Sequence, residues 1–252
     1  MVSETALTFI RDALELAEGD RVLEIGPGLG FLTSLILEKN VTLVAVEKDK
    51  IFASRLSRHF DKSRVQVFPE DILNFDLKSS LSPEAALKVA GNIPYNITSP
   101  ILEWLIIQRE FISCAVLTVQ REVAERLGAK PGTKAWGALS IFIQVYSKAE
   151  VLKQIPRSSF FPAPNVDSAV VKFNFSKKPL FPIKDEDRFF GLVRRAFQKR
   201  RKTILNALFS EEDPAFSKEA LSKTFSMTDI DPMRRSETLS IPEWCRLTDR
   251  LL

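Results

Sequence analysis

A glycine-rich turn near the N-terminus is the feature that most constrains the fold. The apolar stretch Arg21–Ile25 has the length of a strand, the residues GPGLG at 26–30 follow it directly, and 31–38 has helical spacing. Closely spaced glycines let the backbone turn tightly and let a ligand lie against main-chain amides. This pattern predicts a strand–turn–helix unit, the building block of parallel α/β sheets.

The same alternation continues along the chain. Apolar runs of strand length at 41–46, 65–68, 87–90 and 115–119 follow or precede helical segments such as 3–17 and 49–60. Such alternation predicts a parallel sheet with helices on both faces. We predict a final pair of strands at 149–155 and 168–175, and only helices from residue 187. The predicted domains are therefore an α/β domain over 1–180 and a small all-helical domain over 181–252.

Cysteine and histidine content excludes several kinds of chemistry. Cys114 and Cys245 are far apart among apolar neighbours, so we expect buried, reduced thiols. His59 is the only histidine and is expected on the surface, so neither a Ser-His-Asp triad nor a His-based metal site can form. No apolar run reaches the ~18 residues of a membrane span. We expect a cytoplasmic, monomeric protein without a metal or a membrane partner.

An acidic residue follows the second predicted strand at a characteristic distance. Glu47 lies 47 − 26 = 21 residues after Gly26, where a Rossmann-type fold places the carboxylate that binds ribose hydroxyls. The glycine spacing is GxGxG, which favours a nucleoside with a small zwitterionic tail over a dinucleotide. Asp71, after the third strand, is a candidate acceptor for an adenine amino group. Alternatively, the turn is purely structural and both acids are helix caps.

The tetrapeptide Asn92-Ile93-Pro94-Tyr95 is the most specific chemical signal. An adenine amino nitrogen is a poor nucleophile, and its methylation needs acceptors that bind its hydrogens. The Asn92 carbonyl and a main-chain carbonyl held by Pro94 could be such acceptors. Tyr95 offers an aromatic face for an extruded base. The competing interpretation is an Asn and a Pro that end a strand, with Tyr95 at the edge of the core.

Together these motifs resemble the ribosomal RNA adenine dimethyltransferases of the KsgA type, over nearly the whole chain. The stretches that carry the resemblance are 24–30, NIPYNITSP at 92–100, FFPAPNVDSAVV at 160–171, FQKRRKTILNAL at 197–208 and RRSETLS at 234–240. The resemblance implies a class I methyltransferase fold, a Rossmann-like sheet with a small helical C-terminal domain. It implies an enzyme of ribosome biogenesis that dimethylates two adjacent adenines of small-subunit ribosomal RNA, with S-adenosylmethionine as the methyl donor.

The resemblance also implies roles for individual residues. The cofactor would be bound by Glu24, Gly26, Gly28 and Gly30 at its methionine end, Glu47 at its ribose, Asp71 at its adenine, and Asn92. The target base would be held by Asn92, Pro94 and Tyr95, with Phe160 stacked on its other face. Phe160 could instead pack in the core beside Phe161. Two adjacent phenylalanines in a loop bracketed by prolines cannot both point inward. We expect direct in-line methyl transfer without a metal or a covalent enzyme intermediate.

The densest basic cluster lies in the predicted helical domain and consists of Arg194, Arg195, Lys199, Arg200, Arg201 and Lys202. It is either a solvated surface or, beside an adenine-methylating site, a track for RNA phosphates. The competing functions are a large-subunit RNA methyltransferase that confers antibiotic resistance, a non-catalytic assembly or transcription factor, and a small-molecule methyltransferase. The family pattern also includes a segment close to GQNFL before the first helix, which this sequence does not show. Without this segment, we expect weaker cofactor binding and slower methylation.

Overall fold

The computed structural model describes residues 3–81 and 86–251. The chain forms two compact units, each built from two segments. Unit 1 comprises the residues up to 124 and 147–177, and unit 2 comprises 125–146 and the residues from 178 onward. The predicted single boundary near residue 180 lies close to the last of three points where the chain passes from one unit to the other, between residues 177 and 178. The earlier excursion of 125–146 into unit 2 differs from the prediction.

Unit 1 is organised around a seven-stranded sheet. Its strands are β1 (Arg21–Ile25), β2 (Thr42–Val46), β3 (Val65–Phe68), β4 (Leu87–Asn92), β5 (Ile112–Gln120), β6 (Ser147–Ile155) and β7 (Ser168–Phe175). Their order is β3-β2-β1-β4-β5-β7-β6. The first five are parallel as predicted, whereas β7 runs antiparallel to both β5 and β6. The chain order reverses between β1 and β4, the place where open α/β sheets bind ligands beyond the carboxyl ends of their strands.

The helices of unit 1 follow the predicted alternation. They are α1 (Glu4–Ala13), α2 (Phe31–Leu37), α3 (Lys50–His59), α4 (Leu77–Leu81), α5 (Thr98–Ile107) and the start of α6 (Arg121–Leu127). Helix α1 ends four residues before the predicted Ala17, and Glu15 then adopts a left-handed conformation with φ of 51°. A helix cannot continue through that conformation. Among the described residues, no helix has both the length and the apolar character needed to cross a bilayer.

The main core of unit 1 determines which side chains can reach the site. One face of the sheet packs against α1 and α2 through Val22, Ala45, Ala90, Val116 and Val170. Successive side chains of a strand alternate between faces, so the residue two positions further on returns to the same face. On this face, the carboxyl ends of the strands therefore carry Glu24, Glu47, Asn92 and Thr118. The register brings four polar side chains to one edge of an otherwise apolar layer.

Unit 2 is helical, as predicted for the C-terminal part. Its described residues, 125–146 and 178–251, contain the end of α6, α7 (Ala138–Tyr146), α8 (Glu186–Gln198), α9 (Ile204–Leu208), α10 (Lys218–Thr228) and α11 (Ile241–Leu251), and no strand. Trp136 is fully buried, and its Nε1 donates to the Leu239 carbonyl at 3.1 Å. This contact between distant parts of the chain explains why 125–146 belongs to unit 2.

Candidate active site

A pocket of about 240 Å³ opens at the carboxyl ends of β1 and β4. Its lining residues are Leu7, Glu24, Gly26, Pro27, Gly28, Leu29, Phe31, Leu32, Phe52, Asn92 and Phe161. The glycine turn thus lines the same cavity as Glu24 and as Asn92, the first residue of the tetrapeptide. The sheet topology predicts ligand binding at this position.

The glycine turn is held in shape by contacts that only glycine permits. Gly28 has a φ of 57°, in the left-handed region, and its amide donates to Glu47 Oε2 at 2.9 Å. Gly30 has a φ of 82°, and a Cβ there would lie 2.8 Å from Leu56 Cδ2. A larger residue at Gly30 would therefore force the Leu56 and Phe60 side chains to shift, in addition to the strain of its left-handed φ. The turn depends on its glycines for both conformation and packing.

Glu47 connects this turn to the beginning of α3. The side chain is buried, with 8% of the residue exposed, and its Oε1 accepts the Asp49 amide at 2.9 Å. Asp49 itself caps α3 by accepting from the Ile51 amide. Glu47 is therefore not the N-cap of this helix, which was the alternative role in the sequence analysis. Its carboxylate is instead aimed at the glycine turn from the end of β2.

Glu24 is a buried acid in the pocket wall. The Thr33 hydroxyl donates to Glu24 Oε2 at 2.6 Å, a partner that sequence reasoning missed. Burial raises the pKa of Glu24 to about 7, opposed by the Thr33 hydrogen bond and reinforced by the charge of Glu47. Desolvation disfavours the charged form of a carboxyl group, which explains the direction. Glu24, Glu47 and the turn 26–30 are called the carboxylate wall below.

Asn92 presents polar atoms that the described residues leave unused. It is half-buried at the end of β4, and its side chain makes no hydrogen bond to another described residue. The Pro94 carbonyl accepts the Ile97 amide at 3.1 Å, whereas no described donor contacts the Ile93 carbonyl. The amide oxygen of Asn92 and the main-chain oxygen of Ile93 are thus two acceptors available beside the pocket.

A hydrogen bond links Tyr95, which follows β4, to the start of β7. The Tyr95 hydroxyl lies 2.7 Å from Ser168 Oγ, and Ser168 is fully buried at the start of β7. The hydrogen bond fixes the ring of a half-buried tyrosine directly after the tetrapeptide's proline. Sequence reasoning did not single out Ser168, although it lies in the VDSAVV stretch that carried part of the resemblance.

The structure places the two adjacent phenylalanines in different surroundings. Phe160, expected to stack on a base, is half-buried and packs against the core that α1 and α2 share with the sheet. Phe161 is 83% exposed and is the one that lines the pocket. The Phe160 ring packs on the apolar core beneath the loop, and the Phe161 ring remains exposed. Asn92, Tyr95 and Phe161 are called the aromatic wall below.

Asp71 lies after β3 and has two protein partners. It caps a short 3-10 turn at Ile72–Asn74 by accepting the Leu73 amide at 3.1 Å, and it pairs with Lys48 Nζ at 2.8 Å. The hydrogen bond from Lys48, followed by that from Leu73, lowers the pKa of Asp71. Asp71 is therefore a cap, which was the alternative in the sequence analysis. A ligand that binds its carboxylate would do so in addition to Leu73 and Lys48.

The predicted basic cluster in unit 2 divides into two groups. Arg195 donates to the Leu208 carbonyl at 3.1 Å and lies over the Phe216 ring at 3.8 Å. Arg200 donates to the Trp136 carbonyl at 3.3 Å and approaches Glu237 at 3.7 Å. The other members are exposed and form no ion pair with a described residue: Arg194, Lys199, Arg201 and Lys202. Only this second group is fully available to an anionic partner.

Comparison with known proteins identifies the family. The family described as "Ribosomal RNA adenine dimethylase" matches residues 1–251, essentially the whole chain. The chain belongs to this family. Relatives named "Ribosomal RNA small subunit methyltransferase A" include one from Streptococcus pyogenes serotype M5, 43% identical over 96% of this chain and 86% of the relative. Another, from Alkaliphilus oremlandii, is 38% identical over 100% of this chain and 88% of the relative.

Solved structures agree with this family assignment. A dimethyladenosine transferase from Plasmodium falciparum superposes with a TM-score of 0.79 at 27% identity, covering 98% of this chain and 95% of that one. The 23S rRNA methyltransferase ErmE superposes with a TM-score of 0.69 at 24% identity, covering 99% of this chain and 98% of that one. The second likeness establishes the fold, and both confirm the predicted class I methyltransferase architecture of the dimethylase family.

Proposed function

We propose that this chain transfers methyl groups from S-adenosylmethionine to the amino nitrogens of two adjacent adenines in small-subunit ribosomal RNA. The observation that carries the proposal is the meeting of two different walls in one pocket. Glu24 and the glycine turn, to which Glu47 is hydrogen-bonded, form one side. The Asn92 amide, which has no hydrogen-bond partner among the described residues, lies on the other. The names of the relatives support ribosomal RNA as the substrate and the small subunit as its source.

The residues of the carboxylate wall fit the proposed cofactor. A nucleoside with a zwitterionic tail needs acceptors for ribose hydroxyls and for an ammonium group, and a surface that its chain can approach closely. Glu47 stands at the position that binds ribose in Rossmann-type folds, and Glu24 lies inside the pocket. Left-handed glycines at 26 and 28 present main-chain atoms without side chains between them and a ligand. We assign Asp71 to the adenine of the cofactor.

The residues of the aromatic wall would act on the target base. When bound, S-adenosylmethionine supplies an electrophilic methyl group on its sulfonium. The Asn92 amide oxygen and the Ile93 carbonyl would accept the two hydrogens of the adenine amino group. This orients the nitrogen lone pair toward the methyl group and stabilises the positive charge that develops on nitrogen. Tyr95, held by Ser168, would stack on the base, while Pro94 keeps the acceptor carbonyl in place.

The test is to map methylated adenines on both ribosomal RNAs from cells that contain or lack this protein. We expect two adjacent dimethyladenines of the small-subunit RNA to disappear with the protein. They should return with the wild-type gene and not with Tyr95→Ala. Purified chain, small-subunit RNA and labelled S-adenosylmethionine should reproduce the same pattern. Loss of methylation only on the large-subunit RNA would overturn the proposed substrate, and unchanged methylation of both RNAs would overturn the proposed activity.

A further inference from the structure

Helix α3 has an outward face that carries three exposed cations and no acid. The residues Lys50, Ile51, Ser54, Arg55, Arg58 and His59 line this surface and are all exposed. They are called the α3 outer face. Ile51, 78% exposed, lies among the charged side chains. The helix contains no acidic residue between its first and last positions. The α3 outer face therefore concentrates positive charge on a part of unit 1 that the sequence analysis did not assign to any ligand.

The charge of this surface is not neutralised by the described residues. Lys50, Arg55 and Arg58 form no ion pair with any of them. Elsewhere in unit 1, Lys88 pairs with Asp20 and Lys172 with Glu15. The contrast indicates cations that are available to an external anion.

The acids at the two ends of α3 are engaged locally. Asp49 accepts the amides of Ile51 and Phe52, at 2.7 and 3.3 Å, as the helix cap. Asp61 accepts the Ser63 amide at 2.9 Å. Each carboxylate organises the backbone of its own turn, so neither lies in an ion pair with the arginines of the helix. The net charge of the α3 outer face remains positive.

The opposite side of the same helix faces the candidate active site. Phe52 lines the pocket, and Leu56 contacts the glycine turn. A helix with its side chains is about 10–12 Å across. The α3 outer face therefore lies about one helix diameter from the pocket.

We propose that the α3 outer face binds phosphates of the RNA strand that delivers the adenine to the pocket. This inference rests on the proposed function, because it assumes an RNA substrate. Uncompensated Lys and Arg side chains are the groups that contact nucleic-acid backbones, and release of counterions from the phosphates drives such binding. Ile51 adds an apolar contact for a ribose or a base edge. Arg55 and Arg58 offer planar donors that fit phosphate oxygens.

The experiment compares two triple variants of the full chain that lose the same charge. The test variant is Lys50→Gln, Arg55→Gln and Arg58→Gln. The control variant is Lys39→Gln, Lys78→Gln and Lys148→Gln, three exposed lysines that form no ion pair with a described residue and lie toward the amino ends of β2, β4 and β6. The measurement is the affinity for naked small-subunit RNA at several salt concentrations, together with S-adenosylhomocysteine affinity and the melting temperature.

The salt dependence separates the outcomes. Each lost phosphate contact should reduce the slope of log affinity against log salt by about 0.7, so the test variant should lose about 2 units of slope. The control variant should keep the wild-type slope, and both should keep the wild-type affinity for S-adenosylhomocysteine. An unchanged slope in the test variant, with wild-type RNA methylation intact, would overturn this proposal alone. Weaker binding to assembled small subunits but not to naked RNA would indicate a protein partner and would also overturn it. Wild-type chain that methylates no ribosomal RNA would overturn the proposed function first.

Discussion

The carboxylate wall and the aromatic wall differ in how completely the protein satisfies their polar groups. In the carboxylate wall, Glu47 accepts two main-chain amides and Glu24 accepts a hydroxyl. In the aromatic wall, Asn92 makes no side-chain hydrogen bond to a described residue, and Phe161 is 83% exposed. Tyr95 is the exception there, because Ser168 holds its hydroxyl. Folding alone orders the first wall, and the second keeps groups that only a ligand can satisfy.

This difference has a thermodynamic consequence. A carboxylate that already holds the backbone contributes to folding and to ligand binding at once, so its loss should change the free protein as well as the complex. An unpartnered amide or an exposed ring contributes little to the free protein, so its loss should change turnover alone. Substitutions in each wall test this distinction.

Asn92→Ala should have the largest effect on activity. The Asn92 amide oxygen is a free acceptor beside the pocket, and preorganised polar groups of this kind typically contribute about 10²–10³ in rate. We expect single-turnover methylation to fall by about that factor, while the melting temperature stays at the wild-type value. Asn174→Ala, an exposed asparagine on β7, is the control and should keep the wild-type rate. A full rate for Asn92→Ala would remove the tetrapeptide from the chemistry.

Glu24→Gln should reveal the electrostatic strain of the carboxylate wall. The folded pKa of about 7 lies above the ordinary 4.5, so between these values the folded protein keeps a proton that the unfolded chain has lost. Stability from this group is therefore present below pH 4.5 and is lost as pH rises through about 7. At 1.36 kcal/mol per unit, the loss approaches about 3 kcal/mol. Urea unfolding from pH 5 to 8 should show the wild type losing stability relative to Glu24→Gln, and parallel curves would contradict the assignment.

The carboxylate wall was largely predictable from the sequence, because its signals are local. A strand, a glycine turn and an acid 21 residues after its first glycine follow one another in the chain, and strand alternation then brings Glu24 and Glu47 to one face. The aromatic wall depends on contacts between distant residues. Tyr95 and Ser168 are 73 positions apart, and no local sequence pattern near either residue indicates the hydrogen bond.

Three other features that local sequence patterns did not indicate have the same cause. Either of two adjacent phenylalanines can satisfy a loop pattern, and only the apolar surface beneath the loop selects Phe160 for packing. The excursion of 125–146 into unit 2 depends on the Trp136 contact with Leu239, 103 positions away. The antiparallel placement of β7 between β5 and β6 is likewise a long-range pairing that strand length and composition do not encode.

Phe161→Ala should lower activity, whereas Phe160→Ala should lower stability. Stacking on a base is worth about 1–3 kcal/mol, so Phe161→Ala should slow methylation of RNA by about 5- to 150-fold without lowering the melting temperature. Phe160→Ala removes a ring that packs against the core and should lower the melting temperature. Single-turnover rates and thermal melts of both variants decide the matter. A slow Phe160→Ala with normal stability would restore the stacking role that the family resemblance implied for Phe160.

Asp71→Ala should have the smallest effect and test whether a residue at the edge of the carboxylate wall binds the cofactor or only supports its turn. Asp71 already accepts the Leu73 amide and pairs with Lys48, so an adenine amino group would be one more partner. A hydrogen bond contributes about 0.5–1.5 kcal/mol net, so the Kd of S-adenosylmethionine should rise about 2- to 12-fold. The same substitution should leave unchanged the Kd of an analogue whose purine lacks the 6-amino group. Asp61→Ala, which removes another local cap, should change neither value. Equal weakening of both ligands by Asp71→Ala would show that Asp71 acts only by holding its turn.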